Sequence, residues 1–265
     1  MIRLVCIDVD GTLVGRAGEV APPVWAAAAR ARQAGIRLAL CTGRPGFGIA
    51  RHWAEQLDEG GWHVFQNGAS VIRLADGASR SVPLPAGAVP MLIERARSRD
   101  RLLELYGDDA YACERDTPRG RAHAALLRVP MSTLPFAALQ QPVVRAQWLL
   151  AHDELDAVLA EPCPGLEPVH STSPVMPDTV FVNMTAAGVG KHTGVRLVAA
   201  AYGIALDDVM VIGDAHNDLL AMREVGWPVA MGNAVPELRA MARVVVADAE
   251  HHGVAEALAL ACASV

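Results

Sequence analysis

A chain of 265 residues, 52% hydrophobic and 20% charged, is a folded globular protein with ample core and not a disordered one. No apolar run reaches the roughly 20 residues of a membrane span, and Asp8 and Asp10 interrupt the first apolar stretch, so no secretory leader is expected. The formal charge of −6, with no block of Lys or Arg, speaks against nucleic acid as the main partner. Five scattered cysteines, an odd number, point to free thiols in a reduced cytoplasm.

In chain order, the first expected element is a strand at 3–7 that runs into Asp8-Val9-Asp10-Gly11-Thr12. The alanine-rich stretch PPVWAAAARARQAG reads as a helix ending at Gly35, then IRLALCT as a strand, Pro45 to Leu57 as a helix, and WHVFQ as a third strand before Asn67-Gly68. This alternation predicts a right-handed parallel sheet.

The middle of the chain, from about Leu84 to Pro177, changes texture. RLLELYGDDAYACE reads as a hairpin around Gly107-Asp108-Asp109. Helices are expected near 86–98, 134–141 and 152–160, with VVRAQWLL a strand between the last two. HSTSPVMPD, at 170–178, reads as a loop by composition. Arg-rich patches at 95–101 and 115–121 mix with Asp and Glu and read as solvated faces.

The C-terminal part resumes the alternation. A helix from about His192 to Tyr202 precedes the strand VMVIGD, a helix spans Asn217 to Val225, and WPVAMGN, a helix around Val235 to Met241, and RVVVA follow. Its uniformly apolar strands suit a sheet covered on both faces. The expected fold class is α/β: a Rossmann-like parallel-sheet core from 1–83 and 183–265, with an inserted α+β domain at 84–182.

Four stretches carry chemistry. Asp8 and Asp10, two apart in an extended segment, point the same way, and ligands of open parallel sheets bind beyond the strand carboxyl ends. Gly11 admits close approach to the backbone and Thr12 adds a hydroxyl; a plain Asp/Gly turn is the competing reading. Thr42 and Gly43 sit where a strand gives way to a helix, as an anion site or as an ordinary helix cap. Asp214, Asn217 and Asp218, spaced i, i+3, i+4, would share one helix face. Each can cap a helix, but one cap needs one residue, not three. Lys191 stands at the start of another helix, where a lone lysine is ordinarily surface.

Charge connects these stretches. If Asp8, Asp10, Asp214 and Asp218 share a pocket, each pair ~5 Å apart repels by roughly 3 kcal/mol at an effective dielectric of about 20. A cation is then required, and such hard oxygen donors suit Mg²⁺. With Lys191 added for phosphate oxygens, the set describes phosphoryl transfer. His192 and His216 lack zinc-site spacing.

Asp8-Val9-Asp10-Gly11-Thr12, Thr42-Gly43-Arg44, Lys191 and Gly213-Asp214…Asn217-Asp218 resemble, in order, the four motifs of the haloacid dehalogenase-like superfamily. With Asn67-Gly68-Ala69 before the insert and Gly-Val-Gly-Lys after it, the chain most resembles the Cof-type phosphatases, which include sugar-phosphate phosphatases. The likeness covers the core; the insert matches in position and size. It implies a Mg²⁺-dependent phosphatase for small phosphomonoesters, sugar phosphates foremost. Asp8 would be the nucleophile, forming an aspartyl-phosphate, and Asp10 the general acid and then base. Thr42, Gly43, Lys191 and Asn217 would surround the phosphate. Asp8, the backbone carbonyl of Asp10, Asp214 and Asp218 would form the metal set. Asp10 favours phosphate over dehalogenation, since the family's dehalogenases lack that second aspartate.

The same likeness makes the insert a cap that closes over the site, hinged near Pro83-Leu84-Pro85 and near Asp178–Asn183. HSTSPVMPD and the Arg115–Arg121 region are then candidates for leaving-group contacts. His192, where relatives often carry Gly, and Ala215-His216 depart from the pattern at positions that bear on shape. The expected partner is a small phosphorylated metabolite, with no nucleic acid and no membrane, and the protein is expected as a monomer or small homo-oligomer. Two alternatives stand beside this reading: a phosphosugar mutase of the same superfamily, and a non-catalytic phosphate-binding regulatory module.

Overall fold

The computed structural model describes residues 1–173 and 175–264. The chain begins β1 (Leu4–Ile7), α1 (Pro22–Gln33), β2 (Arg37–Leu40), α2 (Ile49–Asp58), β3 (Trp62–Phe65) and β4 (Ser70–Arg73). There follow α3 (Ala88–Ser98), β5 (Leu102–Tyr106), β6 (Tyr111–Ala112), α4 (Pro118–Leu127), β7 (Arg145–Leu150), α5 (Leu155–Leu159), β8 (Leu166–Ser173) and β9 (Met176–Ala186). It ends α6 (Lys191–Tyr202), β10 (Val209–Gly213), α7 (Leu219–Glu224), β11 (Trp227–Ala230), α8 (Pro236–Met241), β12 (Val244–Val245) and α9 (Gly253–Ala263). Among the described residues no helix is long and apolar enough to cross a membrane.

The chain divides into two compact units, one of Met1–Arg44, Arg51–Arg80 and Gly190–Val265, the other of Pro45–Ala50 and Ser81–Val189. The first is an α/β unit whose parallel sheet runs β12-β11-β10-β1-β2. β1 is buried along its whole length, as an apolar strand covered on both faces must be. From β1 the chain goes to β2 on one side and later adds β10, β11 and β12 on the other. The strand order therefore reverses at β1, and the crevice at its carboxyl end is the switch point where such sheets take ligands. The second unit is α+β. Its antiparallel sheet runs β6-β5-β7-β9-β8. Leu92 of α3 and Val158 of α5 pack with Leu103, Leu105, Trp148 and Val182 in one core, while Leu127 of α4 packs with Tyr106, Leu149 and Phe181 in another.

Several elements differ from the sequence reading. The second helix starts at Ile49 and not at Pro45, because Gly46 and Gly48 disfavour helix and Gly48, with φ of +62°, leaves the helical region. WHVFQ runs parallel beside the end of β2, as expected, but only through the Cys41–Val64 bridge and the Thr42 amide on the Val64 carbonyl, while β3 forms its own ladder, antiparallel, with β4. The expected helix at 134–141 is a single short turn at Phe136–Ala138, bounded by Pro135 and Pro142. Conversely α4, absent from the reading, is announced by Thr117 as N-cap, its hydroxyl accepting from the Gly120 amide, and by Pro118 at the first turn. HSTSPVMPD is not a loop: His170–Ser173 completes β8 and Met176 opens β9, with Pro174 outside the described residues. Likewise the linker expected at Asp178–Asn183 is strand, paired to β7 and β8. In both cases cross-strand pairing outweighs local composition.

Candidate active site

At the end of β1 the Asp8 amide continues the ladder to the Ile212 carbonyl, 3.0 Å away. The chain then folds back, with the Leu13 amide on the Asp8 carbonyl and the Val14 amide on the Val9 carbonyl. Gly11 allows this turn: its φ is +85°, and a Cβ there would collide with the Asp214 carboxylate. Gly11→Ala is therefore expected to cost about 1–3 kcal/mol of stability and to displace Asp214; urea unfolding together with phosphatase assays checks both.

β10 delivers the second acidic pair beside the first. Asp218 Oδ2 accepts from the amides of Asp214 and Ala215, 3.2 Å each, which closes the turn after the strand. Thr12 donates to Asp214 Oδ1 at 3.1 Å. Asn233 donates to Asp214 Oδ2 at 3.2 Å and to the Gly11 carbonyl at 2.8 Å. Lys191, the first residue of α6, is 1% exposed and donates to Asp8 Oδ1 at 2.5 Å and Asp218 Oδ1 at 2.6 Å. Asp8, Asp214 and Asp218 each present a carboxylate oxygen within 4.8 Å of the others.

Three carboxylates against one ammonium leave a buried excess of negative charge. Burial and the Asp218 charge push the Asp8 carboxyl well above its usual range, against the opposing pull of Lys191. Burial and Asp218 also push Asp214 up. Burial opposes the charge on Lys191, but Asp218 and Asp8 outweigh it and hold the ammonium protonated above the ordinary lysine range. An all-oxygen, acidic donor set with surplus negative charge fits a hard divalent cation.

Asp10 behaves differently. Its carboxylate stays outside the acidic trio and is gripped by Arg44, Nε to Oδ2 at 2.9 Å and Nη2 to Oδ1 at 2.7 Å. Arg44 in turn lies over the Trp53 ring, 5.4 Å from its centre. Thr42 is fully buried and does not cap a helix, since α2 begins seven residues on. Its hydroxyl accepts from the Arg44 amide at 3.1 Å in a tight turn. Asn217 is exposed and donates to Asn67 Oδ1 at 3.1 Å, so Asp214, Asn217 and Asp218 do not share one helix face. They are fanned by a turn, each to a different partner.

The fold thus brings Asp8, Asp214, Asp218 and Lys191 into direct contact, sets Asp10 at the rim, and places Thr42, Gly43 and Asn217 around Asn67. His216 is exposed, and neither it nor His192 joins the acidic group. The sequence alone assigns no chemical role to Arg44, Asn67 or Asn233. Arg44 and Asn67 lie within the Thr42-Gly43-Arg44 and Asn67-Gly68-Ala69 stretches, whereas only the end of WPVAMGN points to Asn233.

An α/β core with an acidic crevice at the strand carboxyl ends, a buried lysine and an α+β insertion defines the haloacid dehalogenase-like class of hydrolase. The sequence profile of the haloacid dehalogenase-like hydrolases matches residues 5–258, and the chain belongs to that family. Pyridoxal phosphate phosphatase YbhA of Escherichia coli strain K12 is 28% identical over 267 residues, covering 93% of each chain. The HMP-PP phosphatase of Shigella flexneri serotype 5b is 25% identical over 252 residues, covering 91% of this chain and 88% of its own. A solved haloacid dehalogenase-like hydrolase from Bacteroides thetaiotaomicron superposes with a TM-score of 0.87 at 27% identity, over 98% of this chain and 99% of that one. The protein is a phosphoric monoester hydrolase.

Proposed function

We propose that the crevice hydrolyses small phosphomonoesters, sugar phosphates among them, through an aspartyl-phosphate on Asp8. The observation that carries this is the contact of Lys191 with both Asp8 and Asp218, with Asp214 alongside, at the switch point of the sheet. Lys191 holds one oxygen of Asp8, leaving the other carboxylate oxygen to attack phosphorus while the ester P–O bond breaks. Asp10 gives a proton to the departing alcohol oxygen. It then takes one from the water that attacks the aspartyl-phosphate and frees the Asp8 carboxylate. Arg44 orients Asp10 for both transfers. Thr42, Gly43, Lys191 and Asn217 hold the phosphoryl oxygens.

Asp8, Asp214 and Asp218, with the backbone carbonyl of Asp10, would hold Mg²⁺, which when bound neutralises charge on the carboxylates and phosphoryl oxygens. The inserted α+β unit is assigned as the cap that selects the leaving group. The relatives that act on pyridoxal phosphate and HMP-PP support small phosphorylated metabolites as the substrate class. Five free cysteines accord with a cytoplasmic setting.

Hydrolysis of p-nitrophenyl phosphate, with Mg²⁺ and with chelator, tests the reading in the native protein and in Asp8→Asn. Turnover that requires the cation and falls by about 10⁴-fold or more in the variant is expected. A variant as active as native would remove Asp8 from the role of nucleophile.

A further inference from the structure

Gln66, Asn67 and Gly68 are three consecutive residues in the left-handed region, with φ of 53°, 54° and 92°. Glycine enters that region freely, asparagine tolerates it, and longer side chains rarely adopt it. Strain of this kind persists only where the surroundings over-determine it, and it gathers at functional sites.

Here the surroundings are the residues assigned to the phosphate. The Asn67 amide donates to the Thr42 carbonyl and the Gln66 amide to the Arg44 carbonyl, both at 2.9 Å, so the turn clamps the backbone of Thr42-Gly43-Arg44. The Asn67 side chain lies against Gly43, where a Cβ would stand 3.1 Å from Oδ1. The same Oδ1 accepts from Asn217 at 3.1 Å. At the far end a Cβ on Gly68 would collide with the Gly190 carbonyl, immediately before Lys191. Three separate chain segments, carrying Thr42 and Gly43, Lys191, and Asn217, therefore converge on one strained turn.

We infer that Asn67 is a positioning residue for the phosphoryl group: its backbone shape fixes the Thr42–Arg44 loop and its side-chain oxygen orients Asn217. This rests on the phosphatase site proposed above. Asparagine supplies both the left-handed tolerance and the acceptor. Glycine would keep the shape alone, alanine neither, and aspartate both, with a negative charge added beside an anion site.

That difference sets the test. Inorganic phosphate binding is measured by calorimetry in Mg²⁺, beside melting temperature and p-nitrophenyl phosphate kinetics, for native protein, N67G, N67A and N67D. N67G is expected to melt close to native and yet bind phosphate about 5–10-fold more weakly, the loss expected for one hydrogen bond. N67A should show a similar loss with a lower melting temperature. N67D should bind more weakly still and recover in part as salt is raised. Native phosphate affinity in N67G would overturn the inference, as would losses that only follow melting temperature, or a native protein that binds no phosphate. Phosphate binding needs no turnover, so failure of the phosphatase reading, seen as an Asp8→Asn variant with native activity, is read out separately.

Discussion

Lys191→Met is expected to lower kcat/KM by about 10²–10³-fold and to destabilise the fold by about 3–5 kcal/mol. Its ammonium is the only basic group bonded to both Asp8 and Asp218 among the described residues, and those two carboxylates are almost wholly buried. Methionine fills the volume but leaves like charges facing one another. Pairing holds Lys191 protonated beyond the ordinary lysine range, so its contribution is fully present at neutral pH and below. In the variant, Asp8, already raised by burial and by the Asp218 charge and now without the opposing Lys191, would take up a proton more readily in the folded state than in the unfolded one. A carboxyl with a raised folded-state pKa makes stability fall as pH rises, so the deficit against native protein should be larger at pH 8 than at pH 5. The double variant Lys191→Met, Asp218→Asn removes one of the stranded charges. It should regain part of the stability and none of the activity. Urea unfolding at both pH values gives the stabilities, and equal stability of single variant and native protein would sink the assignment of Lys191 as the counter-charge.

The difference between Lys191 and Asn67 shows what a sequence can carry. Asp8, Asp10, Asp214 and Asp218 are legible because each follows a buried apolar strand, and β1 and β10 are read correctly from their uniform apolar character. Lys191 gains meaning only from the acidic residues it must balance, and the charge count supplies that. Asn67, Arg44 and Asn233 have no such count to announce them. Their roles come from hydrogen bonds between residues 19 to 222 positions apart, Asn67 to Thr42, Arg44 to Asp10, Asn233 to Gly11 and Asp214, a separation that no local pattern encodes. Errors in the fold have the same origin. HSTSPVMPD looks like a loop until β9 supplies its partner, and the antiparallel β4 that pairs with β3 after an Asn-Gly turn is invisible until the chain is assembled. α9 is faint in the sequence because its apolar residues are mostly alanine and leave a weak stripe. Local chemistry is written in sequence, whereas strand partners and long-range positioning bonds are properties of the assembled chain.

Addition of Mg²⁺ at about 100 times its dissociation constant is expected to stabilise the native protein by about 2.7 kcal/mol, raising its melting temperature by roughly 5–10 °C. The cause is the surplus negative charge of Asp8, Asp214 and Asp218, which a divalent cation relieves and the unfolded chain lacks as a cluster. The sign of the pH dependence follows from the raised carboxyls. Burial and Asp218 lift both Asp8 and Asp214, so the metal-free folded protein keeps protons that the unfolded chain has already released. The stability these groups confer is present at low pH and declines as pH rises from the ordinary carboxylate range through their raised values. The cation needs those same oxygens without protons. Its stabilising effect should therefore grow with pH, larger at pH 8 than at pH 5, while the stability of the metal-free protein falls. Asp214→Asn should abolish most of the shift and, by removing one repelling charge, make the metal-free protein less sensitive to pH. Asn67→Gly should leave the Mg²⁺ shift intact, because its contacts lie on the phosphate side and not among the three carboxylates. A melting shift that is the same at both pH values, or that survives in Asp214→Asn, would show that the cation binds elsewhere and that the acidic trio is balanced by Lys191 alone.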